Sequence, residues 1–253
     1  MKLSRIILLF LSFCPFLCTA QEESDWETQI SIKTQFPIQH ALGIEFISPI
    51  GLSSYFGLGQ LSRNYTVLAT NALPAKDENQ AERQRFIKDK MKNGSVFEVG
   101  MNYYFGKKRK LYSGVNIQFQ HFTLPATPKE LFEKYNFGDQ LALQNDLDDL
   151  LDRPIVQNFF ENTLLTPNVN PIQLGFLLGF SIKIGKSEKL FLNPELNYQI
   201  NLYTKTKVSA SNPIGNILVN NIINPTIKQG SEESFGTFKL PSISLKFVYR
   251  FSN

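Results

Sequence analysis

The sequence holds only two cysteines, Cys14 and Cys18, and both lie within its first twenty residues. The rest of the chain can therefore use neither disulfides nor thiolate metal sites. It also has no Gly-rich phosphate loop, HExxH pair, Cys/His metal spacing or GxSxG elbow. We therefore expect no metal, no cofactor and no enzymatic activity of the common hydrolase or redox classes.

Strong charge of either sign is also lacking. The formal net charge of the whole chain is +4, and two of the cations, Lys2 and Arg5, lie in its first twenty residues. The remainder is only mildly basic, so the charge balance gives no reason to expect a nucleic-acid partner.

Long hydrophobic runs are absent after residue 20, which excludes transmembrane helices, since these need roughly twenty consecutive apolar residues. The first twenty residues, MKLSRIILLFLSFCPFLCTA, contain two cations, then an apolar run, and end in small side chains. This pattern predicts a Sec signal peptide that is cleaved after Ala20. We assign residues 1–20 to the signal peptide and residues 21–253 to a single domain.

Aromatic residues are abundant instead, at 13% of the chain with 22 phenylalanines, and many of them recur with a period of two. Over residues 190–202 the apolar side chains alternate with Asn193, Glu195, Asn197, Gln199 and Asn201. Strands with one face toward lipid and the other toward the inside of a barrel show this pattern. The sequence therefore predicts an all-β, transmembrane, antiparallel up-and-down β-barrel.

The same alternation recurs along the rest of the chain. Long stretches of it run through 97–105, 111–120, 172–184 and 243–251, and shorter ones through 30–33, 42–46 and 56–59. With a first strand near 27–36, turned at Phe36-Pro37-Ile38, the count is about eight strands. An even, closed count leaves no exposed sheet edge.

The connections between these strands are of two kinds. Those at 48–51, 106–110 and 185–189 are short and rich in turn or basic residues, and we assign them to the periplasmic side. Those near 62–94, 124–170 and 205–236 are long, and long loops belong outside the cell.

The last strand, 243–251, is aromatic near its end, at Tyr249 and Phe251. It resembles the C-terminal signal by which outer-membrane barrels are recognised for assembly, although Ser252 and Asn253 follow the final aromatic residue. The hairpin rhythm and the terminal LKFVYRF together resemble the small outer-membrane barrels of Gram-negative Bacteroidota, described as porin-like or OmpA-like. The resemblance implies the outer membrane as location, outer-membrane lipid as surroundings and the barrel assembly machinery as a partner. We expect no peptidoglycan-binding domain.

Charged residues at inward positions form a predicted lumen polar network, which comprises Lys33, Glu45, Glu98, Lys183, Glu195, Lys246 and Arg250. Side chains largely fill the interior of an eight-stranded barrel. We therefore expect these charges to pair with one another, and a narrow pore for small solutes is the alternative.

The long connections hold predicted helices at 77–93, from Thr127 onward, and at 139–152. We expect these helices to pack on each other above the barrel mouth. Loops held up by a rigid wall are where a binding function would lie. The leading hypothesis is a non-enzymatic cell-surface barrel whose loops, 62–94, 124–170 and 205–236, bind an extracellular protein or glycan or serve envelope structure.

His121 and Thr123 are the candidates for catalysis, because both have outward parity near the outer rim. Outer-membrane lipid deacylases resemble this arrangement in placing a histidine and a hydroxyl nucleophile on the outward face. This sequence has threonine where those enzymes carry serine, and no carboxylate is evident to orient the ring. An interfacial histidine among the aromatic residues is the alternative.

A periplasmic, lipocalin-like barrel is the competing fold. Such a barrel would turn its apolar faces inward and its polar faces to water.

Overall fold

The computed structural model describes residues 26–36, 39–63, 88–106, 108–128, 163–211 and 239–251, with single positions 81, 85, 130, 216 and 219 between them. The predicted signal peptide, the residues of the first turn at 37–38 and the predicted helix at 139–152 lie outside these ranges.

The strands follow one another along the chain. They are β1 (Glu27–Phe36), β2 (Gln39–Ile47), β3 (Leu52–Leu61), β4 (Gly94–Phe105), β5 (Leu111–Thr123), β6 (Leu165–Phe180), β7 (Ile182–Lys183), β8 (Leu190–Ala210) and β9 (Lys239–Phe251). Consecutive strands from β1 to β6 pair antiparallel. β8 pairs with β6 on one side and β9 on the other, and β9 pairs with β1. This last pairing closes the barrel.

The barrel wall has eight strands, because the two-residue β7 continues β6 after a break at Ser181 and pairs only with β8. The prediction of an antiparallel up-and-down barrel of about eight strands is confirmed. A row of directly paired residues can be followed around the wall. It starts at Pro194 of β8, passes through Leu245 and Thr34, and returns to β8 at a different residue, Lys205. The strands are therefore strongly tilted and staggered, as closure of a small barrel requires.

The polarity of the wall is the reverse of that in a soluble barrel. On β8, Asn193, Glu195 and Gln199 are buried inside, whereas Leu196 faces outward and is 61% exposed. The outward face of every long strand carries such exposed apolar side chains, which we call the apolar band. This orientation contradicts the lipocalin-like alternative.

The two ends of the barrel differ as predicted. Residues 48–51, 106–110 and 184–189 make short turns at one end, the turn end, and each contains a glycine with positive φ, namely Gly51, Gly106 and Gly185. The opposite end, the loop end, carries the long connections at 62–93, 124–164 and 211–238. Among the described residues, no helix is long and apolar enough to cross a membrane.

Two predicted loops are shorter than expected, because β6 begins at Leu165 and β8 runs to Ala210. Residues 165–170 and 205–210 are therefore paired strand, contrary to the predicted loops at 124–170 and 205–236. In these extensions Leu165, Val169 and Val208 are buried while Lys205 and Lys207 are exposed. The alternation persists, but here the apolar side chains face inward and the polar ones outward. A prediction based on apolar outward faces therefore does not extend to these residues.

Helix is confined to a few described positions in the connections. Residues 88–90 are helical at the end of the predicted segment 77–93. At the predicted start at Thr127, the Thr127 backbone N–H donates to the Glu130 carboxylate at 3.0 Å, and the Glu130 N–H donates to the Thr127 hydroxyl at 3.2 Å. This reciprocal pair is a capping box.

Replacing Gly100 with alanine should destabilise the barrel, because a Cβ there would lie 2.6 Å from the Tyr55 ring and from the Val115 carbonyl oxygen. We expect Gly100→Ala to lower the free energy of unfolding by about 1–3 kcal/mol. Gly57→Ala is the matched control, since its Cβ would meet its nearest neighbours at 3.6 Å. Urea denaturation measures both, and equal stability of the two variants would contradict close packing around Gly100.

Candidate functional site

The barrel interior is layered, and the inward face of β5 runs through every layer. From the turn end it presents Tyr112, Asn116, Gln118, Gln120 and Phe122, all buried. The interior thus passes from charged and aromatic groups, through amides, to an apolar layer at the loop end.

Glu98 is one of three buried carboxylates in the charged layer. Lys33 Nζ lies 2.5 Å from its carboxylate, and the side chains of this pair are 9% and 1% exposed. The Tyr55 hydroxyl donates to the same carboxylate at 2.8 Å and the Asn116 amide at 3.0 Å. Gln39 and Gln118 donate at 3.1 and 3.3 Å. A buried charge with this many partners is a fixed structural element.

Lys246 joins the other two buried carboxylates. Its ammonium lies 3.2 Å from Glu45 and 3.4 Å from Glu195, and 5.4 Å from the centre of the Tyr112 ring. Glu45 also accepts from Ser53, Gln29, Asn102 and Tyr104, and Glu195 from Ser244 and Tyr112. The three buried carboxylates outnumber the two buried lysines, and hydrogen bonds from neutral side chains stabilise the remaining negative charge.

Glutamine side chains form the next layer toward the loop end. Gln35 accepts from Gln39 at 3.0 Å and from Gln118 at 3.2 Å, and donates to Ser242 at 2.8 Å. Gln120 donates to Gln118 and to Gln173, at 3.2 and 2.8 Å. These amides connect opposite sides of the wall across the interior.

An apolar cluster lies at the loop end of the interior. Its buried members are Leu61, Met91, Val96, Phe122, Leu124 and Val169. Met91 belongs to the returning connection, whose Lys92 backbone N–H donates to the Thr123 carbonyl at 3.2 Å. This bond extends the β4–β5 pairing beyond Gly94, and the connection contributes the buried Met91 side chain to the apolar cluster.

Little free space remains beside the charged layer. A cavity of about 20 Å³ borders Lys33, Glu98, Glu195 and Lys246, which is room for about one water molecule. Buried side chains of the charged, amide and apolar layers occupy the interior on either side of this cavity, and the narrow pore stays the alternative prediction.

The structure places Lys33, Glu45, Glu98, Glu195 and Lys246 together inside the barrel, but the predictions for Lys183 and Arg250 are wrong. Lys183 is exposed and pairs with Glu188 at 3.2 Å, because the break at Ser181 ends the alternation before it.

Arg250 lies at the rim of the turn end instead of in the network. Its Nε is 3.2 Å from the Glu27 carboxylate, and its guanidinium stacks 4.3 Å from the centre of the Phe191 ring. Arg109 pairs with the same carboxylate at 2.8 Å. Because Arg250 stands next to the end of β9, its long side chain reaches the rim and these partners.

Three buried tyrosines, Tyr55, Tyr104 and Tyr112, also belong to the charged layer, and they were not among the predicted residues of the polar network. Their place in the alternation could have identified them, since Tyr112 lies on the same inward face of its strand as Asn116 and Gln118. Tyrosine fits here because its ring fills space and its hydroxyl donates to a carboxylate.

From β2 to β8 the outward face changes from apolar to polar between two neighbouring ladder rows near the loop end. The last apolar row on these strands consists of Leu42, Leu58, Phe97, Phe119, Ile172 and Tyr203. The next row, the polar row, consists of His40, Gln60, Ser95, His121, Asn170 and Lys205, together with Thr34 of β1, beyond which Phe36 is again exposed. Both histidines of the chain lie in the polar row, toward the loop end.

His121 is oriented by an amide, since its Nδ1 lies 2.9 Å from the Asn170 side-chain oxygen. Because that oxygen accepts, the ring proton belongs on Nδ1. Thr123 follows on the same face of β5, but no hydrogen bond joins its hydroxyl to the His121 ring in the described part of the chain. Catalysis by these residues stays a prediction, because the described structure lacks the hydrogen bond through which His121 would take the Thr123 hydroxyl proton.

Two loop-end connections are tied by an ion pair. Lys90 Nζ lies 2.6 Å from the Glu130 carboxylate. This hydrogen bond, together with the capping contacts to Thr127, lowers the pKa of Glu130 below its usual value. The described ends of these two connections, at Lys90 and Glu130, therefore lie next to each other. Most of the predicted helices at 77–93 and from Thr127 onward lies outside the described residues.

Tyr249 and Phe251, the predicted assembly signal, face outward on β9 with their ring centres 5.1 Å apart in an edge-to-face contact. No group of three or more potential ligands for a metal occurs among the described residues.

The sequence matches no family model and no curated protein. Among solved structures, it is similar to the N-terminal β-barrel domain of Pseudomonas aeruginosa OprF at 10% identity, covering 89% of this chain and 96% of that one, with a TM-score of 0.37. It is also similar to a major outer membrane protein from Thermus thermophilus at 11% identity, covering 90% of this chain and 100% of that one, with a TM-score of 0.46. The likeness to Acinetobacter baumannii CarO has 9% identity, covers 89% of this chain and 97% of that one, and has a TM-score of 0.36. Likeness this distant indicates neither an activity nor a ligand.

Replacing Lys33 with methionine would leave Glu98 without its ammonium partner. Because an uncompensated buried charge is strongly unfavourable, Lys33→Met should lower the free energy of unfolding by about 3–5 kcal/mol. The double variant K33M/E98Q removes both charges and should recover much of this loss. Urea denaturation in lipid vesicles measures the cycle, and a K33M protein as stable as wild type would show that Lys33 does not neutralise Glu98.

Proposed function

We propose that this protein is a closed, non-conducting outer-membrane β-barrel that holds its loop-end connections at the cell surface. The observation that carries the proposal is the apolar band around a polar, packed interior. Water disfavours such an exterior, whereas a bilayer solvates it, and closure of a barrel pairs the backbone groups of its wall that would otherwise face lipid at a sheet edge.

The asymmetry of the two ends supports one orientation. Short turns are typical of the periplasmic side of outer-membrane barrels and long connections of the extracellular side. Tyr249 and Phe251 would then lie at the periplasmic interface, where aromatic side chains are favoured, and would serve as the signal for the barrel assembly machinery. Export by the Sec signal at residues 1–20 and membership of a Bacteroidota barrel family complete the proposal.

The layered interior supports a structural or display role over transport. Each buried carboxylate has a lysine beside it and at least two further hydrogen-bond donors, and an apolar cluster lies at the loop end. A water-filled path would have to break these contacts in every layer. The wall then serves as a rigid support for the connections at 62–93, 124–164 and 211–238, to which we assign the binding of an extracellular protein or glycan.

A charge placed in the apolar band tests the location. In a lipid-inserted barrel, Leu196→Arg should lower the free energy of unfolding by about 2–4 kcal/mol in vesicles, because it exposes a cation to hydrocarbon. The control is Ile50→Arg in a short turn, where Ile50 is 71% exposed, and we expect no effect there. Wild type should fractionate with the outer membrane and show heat-modifiable gel mobility. Recovery in the soluble periplasm, with L196R harmless, would refute the proposal.

Planar-bilayer recording tests the closed interior. Purified wild-type protein should give no stable conductance steps. If steps appear, Glu195→Gln, inside the barrel, and Lys183→Gln, outside it, separate their origins. Steps that E195Q alters and K183Q leaves unchanged would demonstrate a conducting interior and contradict the closed barrel.

A further inference from the structure

The loop-end extensions of β5, β6 and β8 carry a group of polar, outward-facing side chains, which we call the polar ledge. Its members are His121, Thr123, Asn168, Asn170, Lys205 and Lys207. The ladder aligns them in two rows across the three strands: His121 bonds to Asn170, which pairs with Lys205, and Thr123 pairs with Asn168, which pairs with Lys207. A regular sheet therefore holds the ledge, and no loop is needed to form it.

Hydrogen bonds fix the amides of the ledge. The Asn170 side chain contacts the His121 ring at 2.9 Å and donates to the Lys205 carbonyl at 3.4 Å. The Asn168 amide donates to the Thr166 carbonyl at 3.1 Å. The lysines differ, because neither the Lys205 nor the Lys207 ammonium has a carboxylate partner among the residues that the structure describes. Two neighbouring positive charges on one strand are thus left for an external anion.

The ledge borders the apolar band directly. Phe119, Ile172 and Tyr203 form the last apolar row immediately below His121, Asn170 and Lys205. A register shift beside Ile172 leaves both Leu202 and Tyr203 exposed, which adds apolar surface under the lysines. The polar row contains no lysine on β1 to β4, where its members are Thr34, His40, Gln60 and Ser95. Within the polar row, lysine therefore occurs on β8 and not on β1 to β4.

We propose that the polar ledge binds the phosphate-bearing headgroup of an outer-leaflet lipid. Lys205 and Lys207 attract the phosphate, the His121 Nε2 and the Asn168 side-chain oxygen accept hydrogen bonds from headgroup hydroxyls, and Phe119, Ile172 and Tyr203 contact its acyl chains. We assign the bound phosphate to a lipid and not to free phosphate, because free phosphate would contact the two lysines but not the apolar row below them. This inference rests on the proposed membrane location and orientation.

Native mass spectrometry of the full-length protein in detergent micelles tests the ledge, with lipid A bearing two phosphates as the probe. Each lysine near an anionic surface contributes about a five-fold factor, so K205Q/K207Q should bind this lipid about 25-fold more weakly than wild type. The matched control, K186Q/K189Q, removes two exposed lysines from a turn at the opposite end and should bind like wild type. Dephosphorylated lipid A should bind wild type as weakly as the intact lipid binds K205Q/K207Q.

Three results would overturn the inference. They are equal binding of intact lipid A by K205Q/K207Q and wild type, an equal loss in K186Q/K189Q, and displacement of the lipid by inorganic phosphate at comparable concentration. Heat-modifiable mobility and outer-membrane fractionation are measured for every variant. A barrel that inserts normally but fails the lipid test refutes only the ledge, whereas wild type absent from the outer membrane refutes the proposed function itself.

Discussion

The pairing of β1 with β9 is the contact on which the rest of the structure depends. It turns a sheet with two free edges into a closed wall in which nine residues of β1, from Thr28 to Phe36, have partners on the last strand. In hydrocarbon an unpaired backbone group has no water to bond with. Closure also fixes the diameter, and with eight strands the diameter leaves space for side chains and little else. The packed interior is thus a consequence of the strand count, and its chemistry had to suit a space without bulk water.

That constraint explains why the interior is neither uniformly polar nor uniformly apolar. Strands that present apolar residues outward present their alternate positions inward, and those positions hold carboxylates, lysines, amides and tyrosines that bond to one another. Lys246 between Glu45 and Glu195 shows the principle, since each charge has both an opposite charge and hydrogen-bond donors or acceptors. Beyond the apolar band the requirement is reversed. There the outward positions carry Asn168, Lys205 and Lys207, and the inward positions Leu165, Val169 and Val208 close the end of the barrel.

Much of this was predictable from a period of two. The alternation along 190–202 and 243–251 indicated the strands, the barrel and the inward position of Glu195 and Lys246. Prediction failed where the rule itself changes. Lys183 follows a break that no local residue pattern marks, and Arg250 has inward parity but stands at a strand end where side-chain length decides the contact. The strands at 165–170 and 205–210 were missed because they alternate with inverted polarity. Which lysine meets which carboxylate depends on register between distant strands, and a single sequence does not encode register visibly.

The extended ribbon of β6 and β8 has a mechanical meaning. Leu165 to Pro171 pair with Thr204 to Ala210 beyond the last apolar row, so two strands continue past the apolar band as one ladder with the wall. A force applied along the strands, by anything attached to the connection at 211–238, would be shared by several parallel hydrogen bonds loaded in shear. A force across them would open the bonds one at a time. The ribbon therefore makes the base of this connection stiff along the strands, in the direction that points away from the barrel.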